Sequence, residues 1–204
     1  MADVATGDTI PAIAASAWAL LQDVPVTQRL VIAGFSMGGY VALQMLAAPT
    51  RRVDALALVS TSARPESREG MGVREQTIAA MADDFATVVD GILSFGTHAH
   101  FRADEAAVDS LRTMMLSVGA DAGMRQTRAI MRRADHRPTA QRLAVPTLVM
   151  VGGSDRVTPP ELCDELCALM PHATAEHLPD CGHMAPLEQA QRVADALLRL
   201  LHGR

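Results

Sequence analysis

Apolar residues recur along this chain in two rhythms. Leu30–Ala33, Ala55–Val59 and Thr147–Val151 are short, apolar runs without alternation, the pattern of strands buried on both faces of a parallel sheet. Ala173–Leu178 reads as a fourth strand. The segments between are helical in character. Ile10–Gln22 is rich in alanine and leucine, which favour helix. Asp8 or Thr9 can cap it, and Pro11 falls in a first turn that tolerates proline. A second helix is expected over Met37–Ala48, stopped by Pro49. Thr158-Pro159-Pro160-Glu161 has capping-box spacing and opens a helix to about Met170. An amphipathic helix over Pro186–His202 follows.

Strands alternating with helices imply parallel pairing through right-handed crossovers. The expected class is α/β, a mostly parallel sheet flanked by helices, with residues 1–204 as one domain. Arg64–Arg142 breaks the alternation. It lacks a strand pattern and reads as helical, with Met71, Met81, Met114, Met115, Met124 and Met131 among its apolar positions. Residues 64–142 are therefore read as a helical cap inserted between two strands.

Composition narrows the picture. A chain of 204 residues, 49% apolar and 20% charged, suits one globular domain with a substantial core. Its net charge of −5 argues against nucleic acid as a partner, because a phosphate backbone calls for a basic face. The local exception, Arg125, Arg128, Arg132, Arg133 and Arg137, reads as a solvated helix face with local ion pairs. No run approaches the roughly 20 apolar residues of a membrane span, and Met1-Ala2-Asp3-Val4 does not open a signal peptide. Neither a membrane nor secretion is expected. Cys163, Cys167 and Cys181 form no disulfide framework and suit a reducing cytosol, so a cytoplasmic location is expected. Cys163 and Cys167, one turn apart, read as packing rather than as a metal site.

The chemistry begins at Gly34-Phe35-Ser36-Met37-Gly38-Gly39, which leaves an apolar strand and enters a helix. That is the context of a G-x-S-x-G nucleophile elbow. So tight a turn strains the serine backbone, and small residues two positions to either side let neighbouring backbone pass. Ser36 Oγ would point out of the sheet at the positive end of the next helix, with the Met37 N–H as one oxyanion donor. The alternative is a tight βα turn in which Ser36 only caps the helix.

A serine hydroxyl needs a base at neutral pH, and the base needs an acid to hold its tautomer. Asp155, in Gly152–Pro159, lies at the carboxyl end of the third strand, where open α/β sheets gather ligand-binding groups. Its alternative reading is a turn-forming or capping aspartate. Asp180 is a rival acid, but it stands only three residues before His183 and is read as shaping that turn. Among the seven histidines, His98 and His100 fall in the cap and His136 in a charged turn. His172 and His177 flank or occupy the fourth strand, and His202 is in the tail. Only His183 combines a loop position with the order serine, acid, histidine.

These segments together resemble the α/β-hydrolase superfamily, and the resemblance covers nearly the whole chain. Gly-Phe-Ser-Met-Gly-Gly-Tyr, Gly-Gly-Ser-Asp-Arg-Val-Thr-Pro-Pro and Cys-Gly-His-Met carry it. The resemblance implies Ser36 as nucleophile, Asp155 as acid, His183 as general base, no metal or organic cofactor, and a small acyl compound as substrate. A serine at this position disfavours branches with an aspartate nucleophile, such as haloalkane dehalogenases and epoxide hydrolases.

The chain departs from the family before the elbow. Members usually place several strands there, with an oxyanion segment among them; here Met1–Gly7 is expected to be the tail of the family's fourth strand and its following loop, with the first three strands and the first helix lacking. The second oxyanion N–H would then be missing, a loss of about 2.7–4 kcal/mol in the transition state. Leu30–Ala33 would become an apolar edge open to pairing with another chain. Either the chain is a fragment or truncated reading frame, or another protomer covers that edge. The expected function is a serine hydrolase acting on a carboxylic ester or related small acyl compound through an acyl-enzyme. The cap methionines either receive a modest apolar group or fill a core. A catalytically weak or inactive domain acting as an interaction module, and a C–C bond hydrolase or acyltransferase of the same fold, stand as alternatives.

Overall fold

The computed structural model describes residues 7–203, so the strand tail expected at the start of the chain lies almost wholly outside the described residues. Four parallel strands, β1 (Val31–Phe35), β2 (Ala55–Val59), β3 (Thr147–Gly152) and β4 (Ala173–Leu178), pair in sequence order. Ile32 lies opposite Leu56, Leu56 opposite Thr147, and Thr147 opposite Ala173. Central β2 and β3 are buried throughout, as their unbroken apolar runs require. β1 differs from its expectation. It is paired on one side only among the described residues, Ala33 is exposed, and Val31 and Ile32 are half-buried.

Alternation along β2 divides the core between the two faces of the sheet. Leu56 and Leu58 meet α1 (Ile10–Ala19), α2 (Met37–Ala47) and α9 (Pro160–Leu169), where Ile10, Ile13, Leu43 and Leu166 are fully buried. Ala57 and Val59 meet Val193 and Ala196 of α11 (Ala190–His202). Thr9 caps α1, its Oγ1 accepting from Ala12 N–H (3.2 Å). The last amphipathic segment is two helices rather than one. α10 (Ala185–Glu188) ends at Gln189, whose φ of −136° and ψ of 52° turn the chain before α11.

Between β2 and β3 lie α3 (Arg68–Asp83), α4 (Phe85–Gly96), α5 (Ala99–Arg102), α6 (Glu105–Val118), α7 (Ala120–Met131) and α8 (Arg137–Gln141). Val89, Leu93 and Leu111 form a small core of their own, with Met115 and Met184 against it. Met81 is buried beside Gly123, whereas Met114 is exposed. The arginine stretch is not uniformly a solvated face. Arg133 is buried, its guanidinium donates to the Glu66 carboxylate (2.8 Å) and it lies over the Tyr40 ring at 4.5 Å. Arg74 also donates to Glu66. Burial by itself would raise the Glu66 carboxyl; the two arginines outweigh it and hold the group down at about 2. His136, read as part of a charged turn, is buried as well, and burial lowers its imidazole below the ordinary value. No helix among the described residues is long and apolar enough to cross a membrane.

Candidate active site

The turn between β1 and α2 brings Ser36 into a strained conformation, φ 49° and ψ −115°. Three hydrogen bonds to its backbone hold it there. Ser36 N–H donates to Val59 O (2.9 Å), and Ser36 O accepts from Gly39 N–H (2.9 Å) and the Thr61 hydroxyl (2.9 Å). Close approach dictates Gly34, where a Cβ would lie 2.6–2.7 Å from backbone atoms of Gly38 and Gly39. The second position that tolerates only glycine is Gly39, whose Cβ would meet Thr61, and not Gly38, whose Cβ would meet nothing within 4 Å. That refines the expectation of small residues two positions to either side of Ser36. Met37 opens α2, so its N–H belongs to the first turn, whose N–H groups lack intrahelical acceptors.

Asp155 and His183 arrive from the loops after β3 and β4. His183 Nε2 lies 2.9 Å from Ser36 Oγ, and Nδ1 lies 2.9 and 3.1 Å from the two Asp155 carboxylate oxygens. Both side chains are buried, while Ser36 is half-buried. Burial alone would raise the Asp155 carboxyl; the His183 ring and the Thr158 N–H and hydroxyl overcome it and hold the group below its ordinary value. An ionised carboxylate only accepts, so Nδ1 carries the proton, Nε2 keeps a lone pair, and the Ser36 hydroxyl donates to it. The arrangement can draw a proton from Ser36 Oγ and hold the resulting imidazolium. The Phe35 ring stands against His183 with centroids 5.4 Å apart.

Thr158 is a member of this site that its sequence context conceals. Thr-Pro-Pro-Glu reads as a capping box, yet Pro159 holds the cap position of α9 and no side chain caps that helix. The Thr158 hydroxyl instead donates to Asp155 Oδ2 (2.8 Å) and lies 3.3 Å from His183 Nδ1, while its N–H donates to Asp155 Oδ1 (2.9 Å). Asp180 has a φ of 53°, in keeping with a residue that shapes the turn before the histidine. The other histidines stay apart from this line. His98 caps α5 through Nδ1, and His177 pairs with Asp164 (3.2 Å). Cys163, Asp164 and His177 each bring one ligand atom within 4.8 Å of the others, so Cys163 does have neighbours capable of ligation. Burial pushes its thiol up to about 12, however, and the thiol faces Val149 O at 3.8 Å.

Comparison with known proteins agrees with this architecture. The profile of the alpha/beta hydrolase fold matches residues 6–190. A pimeloyl-[acyl-carrier protein] methyl ester esterase from Xanthomonas campestris pv. campestris is 31% identical over 186 residues, covering 86% of this chain and 72% of that protein. Its counterpart from Salmonella enteritidis is 27% identical over 181 residues, covering 82% and 68%. A thermophilic esterase from Thermogutta terrifontis superposes with a TM-score of 0.88 at 28% identity, over 96% of this chain and 72% of that one. The enol-lactonase from Burkholderia xenovorans LB400 matches with a TM-score of 0.85 at 23% identity, covering 95% and 73%, a likeness of fold. The chain is a member of the α/β-hydrolase family.

Proposed function

We propose that the chain is a serine hydrolase that cleaves a carboxylic ester or related small acyl compound, with Ser36 as nucleophile, His183 as general base and Asp155 as its acid partner. The observation that carries this reading is the continuous hydrogen-bonded line from Asp155 through His183 to Ser36 Oγ at the start of α2. Ser36 Oγ attacks the substrate carbonyl carbon as His183 Nε2 takes its proton, and Asp155 stabilises the imidazolium. The oxyanion forms beside the N-terminus of α2 and accepts from Met37 N–H. The imidazolium gives its proton to the departing alkoxide, the ester C–O bond breaks, and acyl-Ser36 forms. Water, deprotonated by His183, then releases the acid and restores Ser36.

Similarity to proteins named as esterases favours ester cleavage over C–C hydrolysis or acyl transfer. Residues 64–142 serve in this reading as a helical cap on the single domain 1–204, supported by the packing of α4 against the His183 loop. Three free thiols suit a cytosolic setting, and the exposed edge of β1 suits pairing with a second copy.

The test is hydrolysis of short p-nitrophenyl esters by the wild type and by Ser36→Ala. The substitution should lower kcat by about 10³-fold or more; equal rates would overturn the assignment. A folded wild type that neither turns over esters nor labels at Ser36 with a fluorophosphonate would favour the interaction-module reading.

A further inference from the structure

The loops carrying His183 and Asp155 both lean on one short stretch of backbone, the end of α4 and the residues just after it. His183 N–H donates to Gly96 O at 2.6 Å. Gly182 packs so closely that a Cβ there would lie 2.6 Å from Gly96 O and 2.8 Å from His98 N. From the other loop, the Arg156 guanidinium donates to Ser94 O (3.0 Å) and Phe95 O (2.8 Å) and lies over the Phe95 ring at 4.5 Å. The end of β3 joins the same stack, since a Cβ on Gly152 would collide with the carbonyls of Cys181 and Gly182.

One carboxylate ties this arrangement together. Glu188 Oε2 accepts from His98 N–H (2.8 Å) and Gly182 N–H (2.9 Å), and Oε1 accepts from Met184 N–H (3.0 Å). The residues before and after His183 are thus held by the same half-buried group that holds His98. Hydrogen bonds to an ionised acceptor are roughly twice as strong as neutral ones, and a base must sit close to its ideal geometry to work. Removing this acceptor frees both flanking amides of His183 at once and leaves its loop held to the end of α4 by the His183 N–H bond to Gly96 O and by packing.

Resting on the hydrolase reading above, we propose that Glu188 is a positioning residue, which sets His183 over Ser36 by pinning the His183 loop to the backbone of His98, just after α4. Glu188→Gln keeps the shape of the side chain but turns an NH₂ toward at least one of the three donors. Glu188→Ala removes all three acceptors. With short p-nitrophenyl esters, kcat per active site should fall about 10- to 100-fold in the alanine variant and less in the glutamine variant, with KM little changed. The rate of fluorophosphonate labelling, which also needs His183 as base, should fall in parallel, while the final stoichiometry of labelling stays the same. Unchanged kcat per labelled site would overturn the proposal. So would a loss fully accounted for by fewer labelled molecules, because that is the mark of a folding role alone. Should Glu188→Ala not fold, the isosteric Glu188→Gln carries the test by the same criteria. A wild type that neither labels nor turns over esters defeats the hydrolase reading instead, which separates the two failures.

Discussion

Single residues around Ser36 divide by whether backbone stands where a side chain would go. At Gly34 the obstacle is the main chain of Gly38 and Gly39, 2.6–2.7 Å from an added Cβ, and no flexible atom can yield. Gly34→Ala should therefore cost about 1–3 kcal/mol in stability and shift Ser36 enough to lose most ester hydrolysis. Gly38 lies in the first turn of α2 with open space around its Cβ position. Gly38→Ala should leave stability unchanged or raise it by up to about 1 kcal/mol, since alanine loses less backbone freedom in a helix. Urea unfolding and p-nitrophenyl ester assays on the two variants check this. Equal behaviour of the pair would refute the steric account. The G-x-S-x-G spacing alone treats both glycines alike; only the close pass of the Gly38–Gly39 main chain over Gly34 separates them.

At the scale of elements, β2 and β4 were legible residue for residue: an unbroken apolar run after Asp54 makes β2, and Pro179 stops β4. The lone residue Gln189, which divides α10 from α11, carries no such mark, since neither proline nor glycine stands there. Thr158 was legible as a helix start, yet its hydroxyl goes to the buried Asp155 carboxylate and lies beside a histidine 25 residues on, a contact beyond local pattern. The same holds for Arg133, whose place in a basic run conceals a partner 67 residues away. Glu66 joins Arg74 of α3 to Arg133 beyond α7 and holds its carboxyl down at about 2. A carboxyl depressed in the folded state contributes stability above its unfolded value, and that contribution is lost as pH falls toward the folded one. Glu66→Ala should therefore lower stability at neutral pH by about 3–5 kcal/mol, because the Arg133 guanidinium is left buried and unpaired. The gap between variant and wild type should shrink below the ordinary glutamate range and close near pH 2. Denaturant unfolding across that range would refute the assignment if the gap were constant.

For the whole molecule, the order of strands and the convergence of Ser36, Asp155 and His183 follow from one rule, that parallel strands bring their carboxyl ends to one edge of the sheet. The rule made the site readable from three segments spread over 147 residues. It does not say what covers β1. An apolar run reads as doubly buried whether its neighbour belongs to the same chain or another, and here Ala33 is exposed with pairing on one side only among the described residues. Unpaired N–H and C=O groups along an apolar edge recruit a further strand, so purified protein should self-associate with rising concentration. Ala33→Lys places a charge at that edge without touching the core. It should move the sample toward monomer in sedimentation velocity while changing stability by no more than about 0.5 kcal/mol, as exposed sites do. A wild type that stays monomeric at all concentrations would refute pairing through this edge. A variant that still associates would locate the contact elsewhere, because a lysine on the β1 edge opposes strand addition there by charge as well as by bulk.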